Sequence, residues 1–434
     1  MQLRNSKSKR KASQVLGLLM IISLLVVTGC GSTSTSTGAT GGQKAQRDYI
    51  LIGLPNPLTG PLAGFGESMQ WIGDRVLAAV NKDGGIFVSE LNKKLPVKIK
   101  VVDTESNPTK AGEVASKLIL DDKVDIMLVE HTPDTVNPVA AMGERYSIPT
   151  ISLVDPLDSW LTGGPYKSNY TAFWSVDSIT DQYIAMWDAN SAKTNKVVGL
   201  FASNDTDGVT WSQKFAKILP TKGYKVVDPG RFPVLTKDYS AIISQFKKEN
   251  VDIVVGVAIP PDFATFWKQA HQQGYNPKIV SVGKAYLFPS DVAALGPDLG
   301  QGLTSEVWWS PSHPFKSSIT GETAKELSDA WTKDTGKAWS QPLGYDYAGM
   351  ELVVDALKRA QSLDKTKLLD AISKTDLPTM VGPIKFNDQH YSQTPLAGGQ
   401  WVKGKSGNYE LQIINNKLYP DIPKTADMLF PIPN

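Results

Sequence analysis

Residues 97–154 read VKIKVVDTESNPTKAGEVASKLILDDKVDIMLVEHTPDTVNPVAAMGERYSIPTISLV. Val97 to Val102 is a short strand, and Ala111 to Leu120 carries apolar residues at helical spacing. Val124 to Val129 is a second strand. Val136 to Tyr146 is a helix behind a Thr/Pro/Asp start, and Pro149 to Val154 is a third strand. Strands alternating with helices imply right-handed crossovers and a parallel sheet. Strands buried on both faces of such a sheet are almost wholly apolar, as the run from Tyr49 to Leu54 is.

The same unit extends in both directions. Upstream, Tyr49 to Leu54 (YILIGL) is a strand, followed by a loop through Pro55, Pro57, Gly60, Pro61, Gly64 and Gly66. A helix with Met69, Ile72, Val76, Ala79 and Val80 on one face comes next. A second series begins past Phe173. Strands at 196–201, 224–227, 251–257 and 278–282 alternate with helices at 211–219, 239–248, 263–273 and 289–295. The expected fold class is α/β, with two Rossmann-like parallel-sheet lobes facing a cleft. Ligands of open α/β sheets sit beyond the carboxyl ends of the strands. Helical segments at 323–335 and 347–360 and strand-like pieces at 384–386 and 411–414 complete these sheets, so both lobes are discontinuous.

The first thirty residues address the compartment. Arg4, Lys7, Lys9, Arg10 and Lys11 form a basic region with no acid before Cys30, and an apolar stretch runs from Val15 to Val27. That stretch has the length of a signal-peptide core and is short for a membrane span. Val27-Thr28-Gly29-Cys30 resembles the bacterial lipobox, whose cysteine is lipidated and becomes the mature N-terminus. Cys30 is the only cysteine in the chain, so the body is stable without a disulfide. Residues 31–42 (GSTSTSTGATGG) have nothing to bury and read as a flexible tether. The expected organisation is a signal peptide over 1–29 and a lipidated Cys30 with tether over 30–48. A first lobe follows from 49–175 with 303–385, and a second from 176–302 with 386–434.

The formal charge of +2 belongs to the leader; removing its five basic residues leaves about −3. No basic cluster suggests nucleic acid as a partner. An enzyme finds little support. None of His131, His271, His313 and His390 lies in a His-Glu-x-x-His pattern, and no Gly-x-Ser-x-Gly or phosphate loop occurs. Gly64-Phe65-Gly66 follows a strand, but Met69 stands where a dinucleotide loop needs its third glycine. No catalytic residue, metal or cofactor is expected.

The body resembles the solute-binding proteins of branched-chain amino acid importers, the type I periplasmic-binding fold. The resemblance spans nearly all of 49–434. It is carried by Ile52-Gly53-Leu54 with Pro57-Leu58-Thr59-Gly60-Pro61, by AAVNKDGGI at 78–86, and by Asp103 with Asn107-Pro108. Asn137-Pro138, Gly344-Tyr345-Asp346 and Val381-Gly382-Pro383-Ile384 with Phe386-Asn387 add to it. It implies three chain crossings, near Ser175, Leu303 and Lys385, and a hinge that closes on solute. It also implies an extracytoplasmic, lipid-anchored monomer working with a permease pair and ATPase subunits. A ligand-sensing ectodomain acting through a separate membrane partner is the alternative.

The resemblance further implies that a ligand carboxylate is held by hydroxyls and backbone N–H groups after the third and fourth strands. Those loops here offer His131, Thr132, Pro133 and Thr135, then Val154 and Asp155 before Pro156. Unpaired amides at a helix start suit an anion. Pro133 and Pro156 stand where the family favours small hydroxyl residues, so the grip is altered. In the second lobe Asp207 takes the place of an aromatic ring, and Ile259 follows a strand. Lys284 stands where an acid pairs with the ligand's ammonium, which favours a negative ligand group. Asp155 or Asp207 remains available to an ammonium, and Asp207 otherwise caps its helix. Among Phe65, Trp160, Trp211, Trp308 and Trp309, loop placement favours Phe65 and Trp211 as cleft walls. An amino acid, or a small carboxylate or amide, is the expected solute.

Overall fold

The computed structural model describes residues 48–433. The expected signal peptide, Cys30 and all but the last residue of the tether lie outside the described residues. The body is built on two sheets. The first has six parallel strands in the order 391–392, 169–172, 150–153, 126–130, 50–56 and 97–103. The second has seven, in the order 409–415, 397–403, 304–307, 279–283, 253–257, 197–202 and 225–227. Its last five strands are parallel; 397–403 and 409–415 form an antiparallel edge.

The central strands Ile126–Glu130, Ile253–Val257 and Ile279–Gly283 are buried at every position. This is why they read as unbroken apolar runs. Several helices start earlier than apolar periodicity indicates, at Pro108, Pro133, Pro260 and Pro342. Proline suits a first helical position because its missing N–H is one that no intrahelical acceptor needs.

The chain crosses between sheets three times, at places that differ from expectation by a few residues. The first follows Ala172, with Ser175 capping the helix Val176–Asp188. The second follows Val307 rather than Leu303, because Thr304–Val307 pairs with Ala397–Lys403 in the second sheet. The third follows Ser392 rather than Lys385, because Tyr391–Ser392 adds to the first sheet beside Asn169–Ala172.

The second crossing is held by one side chain. Gln341, fully buried, accepts from the Trp308 N–H at 2.7 Å and the Trp309 N–H at 3.4 Å, and donates to the Glu306 carbonyl at 3.0 Å. A buried polar group stripped of its partner costs about 1–3 kcal/mol. Gln341→Ala is therefore expected to lower stability by about 2–4 kcal/mol in urea unfolding. Gln341→Glu, which keeps the acceptor and loses the donor, should fall between the variant and the wild type.

Candidate ligand cleft between the two sheets

The carboxyl ends of both sheets face one cleft. From the first lobe, Ile126–Glu130 turns through His131 and Thr132 into the helix Pro133–Tyr146. Both turn residues have positive φ, 76° and 70°. Thr150–Leu153 turns through Val154, also at positive φ, into Pro156 and a short helix. From the second lobe, Val197–Ala202 leads to the helix Thr206–Ile218, and Ile279–Gly283 leads to Lys284 at φ 65°.

These loops and the crossing segments line a narrow cleft with a free volume of about 30 Å³. Of the residues expected at the site, Phe65, Thr132, Pro133, Val154, Asp207, Trp211 and Lys284 line it. His131, Thr135, Asp155 and Ile259 do not. They are buried behind the wall: His131 faces Asp346, and Ile259 caps the helix Pro260–Gln272. Trp308 lines the cleft, whereas Trp160 and Trp309 pack elsewhere, against Tyr166 and Trp339.

Pro156, already noted at the altered grip, lines the cleft too, and Phe173, Trp174, Val257, Leu287 and Glu306 line it but escape sequence reasoning. Phe173 and Trp174 sit on the first crossing. Glu306 lies on a strand that has no marked pattern in the sequence. A turn signal after each strand points to loops, and Phe173, Trp174 and Glu306 are not on strand-to-helix loops.

Lys284 and Asp207 form the floor's charged pair. Lys284 Nζ is 2.8 Å from Asp207 Oδ2 and 3.9 Å from Asp205 Oδ2, with both side chains of the closer pair almost fully buried. Burial opposes the ammonium, but the carboxylates of Asp207, Asp205 and Asp134 outweigh it and raise the lysine's pKa. Asp207 is not the helix cap; Asp205 is, accepting from the Gly208 N–H at 2.7 Å. The lysine charge is thus matched within the protein and is not left for a ligand. Asp155 is fully buried with neither carboxylate oxygen hydrogen-bonded. Burial, then Asp207 and Asp134, pushes it well above the usual carboxylate range.

Glu306, also on the wall, is an acceptor already occupied by the Lys284 N–H and the Tyr183 hydroxyl. Thr132 Oγ1, Trp174 Nε1 and Trp211 Nε1 are buried at the cleft and make no hydrogen bond within the protein. Trp211 seats on Gly283, where a Cβ would fall 2.5 Å from its ring. Across the cleft Phe65 meets Phe288 edge-on at 5.0 Å. Lys214 pairs with Asp158 at 2.9 Å, and Ser159 Oγ lies 3.4 Å from Asp207 Oδ1.

Comparison with known proteins agrees with this architecture. The profile of the periplasmic binding protein family matches residues 50–406. A leucine-, isoleucine-, valine-, threonine- and alanine-binding protein of Pseudomonas aeruginosa is 20% identical over 342 residues, covering 79% of this chain and 87% of that protein. A Leu/Ile/Val-binding protein homolog 8 of Brucella suis is 24% identical over 400 residues, covering 88% and 94%. Among solved structures, a leucine-binding protein of Thermotoga maritima superposes with a TM-score of 0.71 at 20% identity, covering 85% of this chain and 99% of that one. A solute-binding protein of Rhodopseudomonas palustris in complex with 3,4-dihydroxybenzoic acid gives 0.68 at 19%, covering 85% and 96%. At these identities the structural likeness establishes the fold.

The buried pair makes a direct test. Asp207→Ala leaves the Lys284 ammonium buried beside the more distant Asp205. It is expected to cost about 3 kcal/mol in chemical unfolding. Adding Lys284→Met to Asp207→Ala removes the orphaned charge and should recover most of that loss.

Proposed function

We propose that this chain, which belongs to the periplasmic binding protein family and is of the branched-chain amino acid type, is the solute receptor of an ATP-driven importer. It captures a small molecule bearing a carboxylate or amide, amino acids among them, and carries it to a permease with ATPase subunits. The same reading has Cys30 lipidated, tethering the body to the outer face of a membrane. Among the described residues no helix is long and apolar enough to cross one.

The observation that carries the ligand reading is the trio of unused donors, Thr132 Oγ1, Trp174 Nε1 and Trp211 Nε1. A buried donor without an acceptor is costly, and a ligand oxygen relieves it. Apolar walls from Phe65, Val154, Leu287 and Trp308 fit the remainder of such a solute. Lys284 is already neutralised by Asp207. Recognition of the oxygen therefore falls to neutral donors, which suit an amide as well as a carboxylate.

The test is thermal unfolding of the full-length protein against amino acids, aromatic and aliphatic carboxylates, amides and simple amines. A ligand at about a hundred times its dissociation constant stabilises by about 2.7 kcal/mol, a shift of several degrees. Carboxylates or amides should raise the midpoint; a rise with simple amines alone would sink the reading. Trp211→Phe keeps the ring and removes one donor. It should weaken the best ligand about tenfold by calorimetry, or about 1.4 kcal/mol.

A further inference from the structure

Behind the cleft wall, three ionisable side chains meet in the interior of the first lobe. Glu130 ends its strand, His131 follows at the left-handed corner, and Asp346 projects from the helix Pro342–Ala360. None is more than 1% exposed. His131 Nε2 is 2.8 Å from Asp346 Oδ1 and 3.9 Å from Glu130 Oε2. One ligand atom from each of the three lies within 4.8 Å of the others. The other oxygen of Asp346 is occupied, accepting from Ser68 Oγ at 2.5 Å.

The rest of the cluster lacks ordinary partners. The Glu130 and Asp346 carboxyls approach closely enough for one to hydrogen-bond the other when protonated. Apart from these carboxyls themselves, no N–H or O–H group donates to either Glu130 oxygen or to Asp346 Oδ1, and neither ring nitrogen of His131 is aligned with an acceptor. The 2.8 Å approach of Nε2 to Oδ1 is close, yet it does not have the direction of a hydrogen bond. Two carboxylates buried side by side repel each other unless a proton or a cation lies between them. A cation accounts for the geometry. Metal–ligand bonds of about 2.0–2.2 Å place neighbouring ligands about 2.9 Å apart in an octahedral site and about 3.4 Å apart in a tetrahedral one, off the axis of any N–H···O line. The 2.8 Å approach matches the octahedral spacing. An imidazole with two carboxylates suits a first-row dication; calcium and magnesium sites are built from oxygen.

The geometry points to a structural site for a divalent transition-metal ion, Zn²⁺ or Mn²⁺, held by Glu130, His131 and Asp346. The ion ties the corner at His131 and Thr132 to the helix Pro342–Ala360. Gln341, just before that helix, holds the crossing at Trp308. The site thereby links one wall of the cleft to the hinge. It does not rest on the solute reading, since none of the three ligands lines the cleft.

The test is metal analysis of the full-length protein, purified without a polyhistidine tag from cells supplied with Zn²⁺ and Mn²⁺. Mass spectrometry after desalting should find near-stoichiometric metal. Chelation should lower the unfolding midpoint by several degrees, and adding back Zn²⁺ or Mn²⁺ should restore it. Glu130→Gln, close in shape but uncharged, should lose the metal and the response together. A metal-free wild type whose midpoint ignores both ions overturns the site and leaves a proton shared between the two carboxyls. Equal metal in wild type and Glu130→Gln overturns it as well, since the ion is then bound elsewhere. Should that variant not fold, the wild-type metal content and its response to add-back decide alone.

Discussion

One constraint shapes the cleft: a parallel strand must turn back toward the helix that covers it through a short loop, two residues after Ile126–Glu130, three after Thr150–Leu153 and five after Ile279–Gly283. Here the turn is made by residues other than glycine at positive φ, namely His131, Thr132, Val154 and Lys284. Such backbone costs about 1–3 kcal/mol per position and persists only where its surroundings hold it. The holding groups are visible. The Thr132 N–H donates to the Val154 carbonyl at 2.9 Å, tying the two first-lobe corners together, and the Lys284 N–H donates to Glu306 Oε1 at 3.2 Å. Strain at four corners is thus converted into a cleft wall whose shape is set before any solute arrives.

The same enclosure governs the charges. Lys284 sits among Asp207, Asp205 and Asp134, with the Asp155 carboxyl buried behind them and its pKa raised by that burial. A buried ion pair of this kind contributes little net stability, because desolvation cancels most of the attraction, but removing one partner is severe. Its consequence is local order: the ammonium fixes the first turn of the helix Thr206–Ile218 against the loop after Ile279–Gly283. With that pair closed on itself, the unpartnered donors of the cleft carry no charge.

Much of the fold was legible in the sequence because buried parallel strands leave continuous apolar runs. Ile253–Val257 and Ile279–Gly283 stand out in this way. Ala397–Lys403 did not, since Gly398 and Gly399 interrupt the run; a Cβ at Gly398 would meet Met186 and one at Gly399 would meet Val307. The loop residues of the site were legible for the same reason as the strands, as each follows an apolar run. Phe173, Trp174 and Glu306 were not, because they belong to crossing segments whose place depends on how two sheets meet. Asp207 and Lys284 were found as residues, but not as partners. They lie far apart in the chain, and only the second sheet brings their strand ends together.

The contacts that span the cleft bear on how it works. Phe65 on Phe288, Lys214 on Asp158 and Ser159 near Asp207 join the lobes, leaving little room between them. A solute of more than a few atoms enters only if those contacts part. Their strength is modest: an aromatic pair adds about 0.5–1.5 kcal/mol beyond its buried area, and a part-exposed ion pair about 0–1 kcal/mol. An equilibrium balanced by so small a sum is tipped by any ligand that binds the closed form a few kcal/mol better than the open one. In the proposed reading, Thr132 from the first lobe and Trp211 from the second would supply that difference by meeting one ligand oxygen with the lobes together.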